Sequence, residues 1–263
     1  MNDKTLTYSS YLQLDALLRL QLPQSPGPEH DELLFITIHQ VYELWFKQLL
    51  HELRHLQTSF EAGDAARASS TLRRVLTILK TLVAQIDVLE TMTPLSFNAF
   101  RARLDSSSGF QSWQFRAVEF LLGHKRPALL RQYDEGSAAH EILAALLREP
   151  SLYTAFLRFL DARGVTMPAA ALQPDPATPT AANPEVQLRL IEVYRARPNE
   201  AQLCEQLVDL DEGLQEWRYR HVKMVERVIG AKIGTGGSAG AAYLRETLFK
   251  PLFPDLWEIR AQL

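Results

Sequence analysis

Residues 200–229, EAQLCEQLVDLDEGLQEWRYRHVKMVERVI, decide the architecture. Leu203, Leu207, Leu210, Leu214, Trp217, His221, Met224 and Val228 follow at alternating steps of four and three, with Asp211, Glu212, Arg218, Lys223 and Glu226 off that line. This spacing draws an apolar seam along a long helix. Gly230 can end it. Residues 31–60 predict a second long helix whose first half, Leu33 to Phe46, is apolar nearly all round and therefore buried. A third helix, 66–91, carries Leu72, Val75, Leu79, Leu82, Ile86 and Leu89 at steps of three and four.

Shorter helices complete the pattern. Thr93-Pro94 reads as an N-cap with proline at the first helical position, opening a helix to about Leu104. A turn at Asp105–Gly109 leads to a helix over 110–123. Two short helices are expected in 138–163 and another over 185–196. The stretch 164–184 holds five of the fourteen prolines and predicts a loop or a poorly ordered linker. No run alternates as a strand does. The expected fold is all-α: one domain, 1–263, a bundle of long helices, with an N-terminal arm and first short helix in 1–20.

At 263 residues the chain can bury a sizeable core. A net charge of -3 argues against a nucleic-acid or anionic-membrane surface. No apolar run approaches the roughly 18 residues of a membrane span, and MNDKTLTYSS lacks the apolar stretch of a signal peptide. The expectation is a cytoplasmic protein. The single cysteine, Cys204, excludes an internal disulfide, a cysteine zinc cluster and thioether attachment of haem.

Several residues can carry chemistry. His221 lies on the apolar seam one turn from Trp217, and burying an imidazole there demands partners for both ring nitrogens. It is either a hydrogen-bonded core residue or a metal ligand, and a neutral imidazole in an apolar wall suits haem iron. His39 sits within the most apolar stretch, with Phe35 one turn before it. Phe97 and Arg101 share a helix face, so Arg101 either snorkels to water or clamps a carboxylate at two points. Gly230–Gly240 contains five of the twelve glycines, including Gly234-Thr235-Gly236-Gly237, a density that suits close approach to a ligand. His51-Glu52-Leu53-Arg54-His55 matches the helical zinc-hydrolase pattern, but only three of its positions are specified and no third ligand is recognisable. A helical haem-binding sensor or silent scaffold is the remaining alternative.

Four blocks, in order, carry a resemblance: His30 to Lys47 (HDELLFITIHQVYELWFK), Ser106 to Arg116 (SSSGFQSWQFR), Trp217-Arg-Tyr-Arg-His221 and Gly234 to Gly240 (GTGGSAG), with Tyr8-Ser-Ser-Tyr11-Leu-Gln-Leu-Asp15 fitting as well. With these the chain closely resembles the tryptophan 2,3-dioxygenase family across most of its length, 164–184 excepted. The resemblance implies a homotetramer with one haem b per subunit, ferrous when active, converting L-tryptophan and O2 to N-formyl-L-kynurenine. It implies that His221 is the proximal iron ligand and that His39 hydrogen-bonds the indole nitrogen. Arg101 would clamp the substrate carboxylate, Thr235 would contact its ammonium and carboxylate, and Phe35 and Phe97 would wall the indole. Ser108 and Gly109 would line the distal haem face. Tyr8, Tyr11 and Leu12 would complete a neighbouring subunit's pocket.

Overall fold

Several helices begin on a side chain that can accept from the orphan amides of the first turn. In the computed structural model, which describes residues 5–27, 29–105, 107–230, 232 and 241–263, Asp64, Thr93, Ser112, Ser137, Ser151 and Asn183 each accept from an amide two or three residues on. The helices are α1 (Tyr8–Leu12), α2 (Leu14–Leu17), α3 (His30–Glu61), α4 (Ala65–Leu89), α5 (Pro94–Arg101), α6 (Trp113–Leu121) and α7 (Ala138–Arg148). They continue as α8 (Leu152–Ala162), α9 (Ala169–Leu172), α10 (Pro184–Ala196), α11 (Pro198–Ile229), α12 (Ala241–Arg245) and α13 (Pro254–Glu258). Among the described residues there is no strand, so the all-α expectation holds.

α3 and α11, each 32 residues long, both pack along α4, and α6 and α8 lie against α3. Leu56, Leu72, Val75, Leu79 and Leu207 are buried where these helices meet. Burial of such side chains contributes about 1.5–3 kcal/mol each relative to exposure, which outweighs any single helix propensity. No helix of the described residues is long and apolar enough to cross a membrane.

Two boundaries differ from expectation. α5 ends at Arg101 instead of running to Leu104. The helix expected over 110–123 is split: a 3-10 turn spans Gly109–Gln111, and α6 starts at Trp113 because the Ser112 side chain caps the Phe115 amide. The proline-rich stretch is a loop with one helical turn, and it is tied down. Its Thr180 amide donates to the Gly123 carbonyl at 3.0 Å, and Leu172 and Met167 are bonded by Arg158 and Asp161. At the C-terminus, the buried Asp211 carboxylate accepts from the Leu252 and Phe253 amides and from the Trp257 indole at 2.7, 3.1 and 2.9 Å. This pins the last segment to α11.

Candidate active site

α3, α5, α11 and the 108–116 stretch enclose a cavity of about 260 Å³ whose wall is mainly apolar. From α3, His39 faces it. The His39 Nδ1 lies 2.7 Å from the Phe35 carbonyl. A carbonyl only accepts, so Nδ1 carries the proton and Nε2 is left as an acceptor. Burial pushes the His39 pKa down, against the opposing pull of the Phe35 carbonyl and Glu43, so the ring is neutral. Phe35 lies 4.1 Å from His39 and 5.7 Å from Phe97, centroid to centroid, and Phe100 closes the trio. Phe97 and Arg101, one turn apart on α5, both line the cavity.

From α11, His221 lines the same cavity, so the two histidines singled out in the sequence do meet one space. Its imidazole is stacked on Trp217, centroids 5.1 Å apart and planes 5° from parallel. Neither ring nitrogen has a hydrogen-bond partner among the described residues. Burial, reinforced by His39, pushes its pKa down to about 4. Such a base, neutral and unsatisfied, is a candidate metal ligand. Ser108 and Gly109 also line the cavity, where the Ser108 hydroxyl caps the Phe110 amide at 3.2 Å.

Beside this cavity lies a charged hub that the sequence reading assigned no role. Glu119, 1% exposed, bonds Arg116, Arg126 and Arg218, the last two at 2.7 Å. All four residues line the cavity. Burial pushes the Glu119 carboxyl up, but Arg116, Arg218 and Arg126 together outweigh it and hold it at about 2. Arg218 also donates to the His124 Nδ1 at 3.2 Å and to the Thr247 carbonyl at 3.3 Å. Arg116 and Arg218 fall within two of the blocks carrying the resemblance, which was the only signal available for them.

Other candidates stand elsewhere. Tyr8, Tyr11 and Leu12 lie on α1, with Tyr8 and Tyr11 77% and 71% exposed, and none of them lines this cavity. Thr235 falls outside the described residues. The zinc-hydrolase pattern is not assembled: His51 and His55 are exposed, while Glu52 is buried and accepts from Arg74 and Gln48 at 3.1 and 2.8 Å. Among the described residues, no three metal-binding side chains cluster.

The fold and site define a class: a helical protein with a neutral, unsatisfied histidine on an apolar cavity, a second histidine presenting an acceptor, and buried cations beside them. Known sequences give the class its family. The profile described as tryptophan 2,3-dioxygenase matches residues 1–164 and 183–263, leaving out most of the proline-rich loop. The tryptophan 2,3-dioxygenase of Herpetosiphon aurantiacus is 60% identical over 99% of both chains. That of Anaeromyxobacter sp. (strain K) is 56% identical over 98% of this chain and 96% of its own. The Saccharopolyspora erythraea protein of the same name is 44% identical over 99% and 94%. This chain belongs to the tryptophan 2,3-dioxygenase family.

Proposed function

We propose that the protein is a haem-dependent dioxygenase that places both atoms of O2 across the indole C2=C3 bond of L-tryptophan, giving N-formyl-L-kynurenine. The observation that carries this reading is the pairing across one cavity of an unsatisfied neutral histidine, His221, with a histidine whose Nε2 is an acceptor, His39. The residues present fit haem b. His221 offers the iron an unengaged imidazole. A buried donor without a partner, Arg116 Nε, stands on a residue that lines the cavity and suits a carboxylate of the macrocycle. Arg116 and Arg218 reach the Glu119 carboxylate on the cavity wall, and guanidiniums placed there favour an anionic ligand.

Ferrous haem, when bound at His221, supplies the activation of dioxygen. The protein supplies position. Arg101 holds the substrate carboxylate, with Thr235 as a second contact, and Phe35 and Phe97 flank the indole. His39 Nε2 accepts from the indole N–H. That proton stays on nitrogen, because the indole is a far weaker acid than an imidazolium with a depressed pKa. Apolar walls exclude water and strengthen each polar contact within. Fixing the indole in this way can contribute several kcal/mol of the barrier reduction.

Tyr8, Tyr11 and Leu12, exposed in one subunit, serve the pocket of a second copy in a homotetramer. The enzyme works in the cytoplasm. The test is direct: reduced haem-loaded protein, oxygen and L-tryptophan are mixed and the absorbance of N-formylkynurenine is followed. An intact Soret band without product would sink the reading.

A further inference from the structure

Histidines that ligate metals almost always donate their second N–H to a carboxylate, a carbonyl or water, and that bond sets the ring's orientation. His221 has no such bond among the described residues. Its imidazole instead lies flat against Trp217, one turn back on α11, with 5° between the planes. Trp217 is itself clamped. Phe115 of α6 packs on it at 4.8 Å, and Phe46 and Tyr42 of α3 meet it edge-on at 6.1 and 6.2 Å. The indole is 8% exposed, so it has little freedom to follow a rotating imidazole. α3 and α6 therefore act on the metal-ligand side chain through one ring face.

We propose that Trp217 is a positioning residue for the iron ligand: its indole face fixes the plane of the His221 imidazole, in the role that a hydrogen bond plays elsewhere. The inference rests on the haem reading above. No carboxylate among the described residues bonds the His221 ring, and a ligand without one keeps the character of a neutral imidazole. Axial-ligand character is one of the few levers a protein has on haem iron. Trp217 reaches that lever without touching the metal.

The test separates the ring face from the indole N–H. Trp217→Phe keeps a ring for stacking and removes the donor. Trp217→Leu removes both, and Trp217→Met does the same with an unbranched, more adaptable chain, in case the leucine variant folds poorly. Each protein is loaded with haem. The iron–histidine stretching band of the ferrous form is read by resonance Raman, and haem loss is timed by transfer to apomyoglobin. Trp217→Phe should keep the wild-type band. The leucine and methionine variants should shift or broaden it and lose haem about tenfold faster or more. An unchanged band in both aliphatic variants overturns the proposal. Equal shifts in all three variants also overturn it, because they would assign the effect to the N–H. Failure of the wild type to take up haem would overturn the function reading instead.

Discussion

His39 Nδ1 donates to the Phe35 carbonyl, so the side chain enters the cavity with an acceptor foremost. One neutral hydrogen bond contributes about 0.5–1.5 kcal/mol, so His39→Ala should lower kcat/KM roughly 2- to 13-fold in steady-state assays while leaving the Soret band in place. A fall of many orders of magnitude would instead make His39 an obligatory base. Arg101 is asked for more, because a bond to a charged group is worth about 1.5–3 kcal/mol. Arg101→Leu should lower kcat/KM by roughly 10- to 150-fold, mostly through KM, and the loss should shrink for a tryptophan analogue without its carboxylate. His221→Ala should abolish haem uptake in a Soret titration with the helical circular dichroism unchanged. Retained haem affinity in that variant would remove His221 as the ligand.

Between elements, the Glu119 hub joins α6 to α11 through a pair 99 residues apart in sequence. Removing one partner of a buried ionic cluster strands the other charges at a cost of about 3–5 kcal/mol. Glu119→Gln should therefore lower the urea midpoint far more than any exposed carboxylate substitution does. The hub also sets an acid limit. Glu119 titrates near 2 when folded, so its contribution is complete above the ordinary carboxylate pKa of 4.5 and is lost as pH falls toward 2.

His124 acts earlier. Burial lowers its pKa to about 4, with Arg218, Arg126 and Lys250 adding to the shift and Glu119 opposing it. Between pH 6.5 and 4 the unfolded chain binds a proton there that the folded chain does not, so stability falls as pH drops through that window. Urea midpoints of the apoprotein at pH 7 and pH 5 should show this fall, and His124→Gln should flatten it by one proton's worth of slope. A variant with an unchanged slope would clear His124 of the effect. Gly123 tests the anchoring of the proline-rich loop. It has φ +101°, and an added Cβ would collide with Thr180 Oγ1. Gly123→Ala should cost on the order of 1–3 kcal/mol and expose 164–184 to proteolysis first.

Across the whole molecule, an arm with Leu6, Tyr8, Tyr11, Leu18, Leu20 and Leu22 exposed gains nothing by itself in water. Deleting residues 1–20 should leave the bundle folded by circular dichroism. It should also reduce the mass seen in sedimentation and raise KM for tryptophan. A truncated protein that keeps both its assembly and its KM would end the shared-pocket reading. None of the described arm residues is fully buried in a single chain, so only its place in the resemblance points to a role.

Much of the architecture was legible in the chain. The seam from Leu203 to Val228, the Thr93-Pro94 start and the Phe97/Arg101 face depend on neighbours three or four residues away, and helix geometry makes those relations local. The local reading failed at Ser112, where a cap restarts the chain. In 164–184 composition predicted the loop but not its anchors, since the Gly123 carbonyl that holds Thr180 comes from a distant position. The sequence by itself determined the helices, the family and the two histidines. Only the tertiary structure decided which nitrogen of His39 carries its proton, what stacks on His221, and that three arginines share Glu119. Tautomers, ring planes and ion clusters are properties of what meets in space, and no local period encodes them.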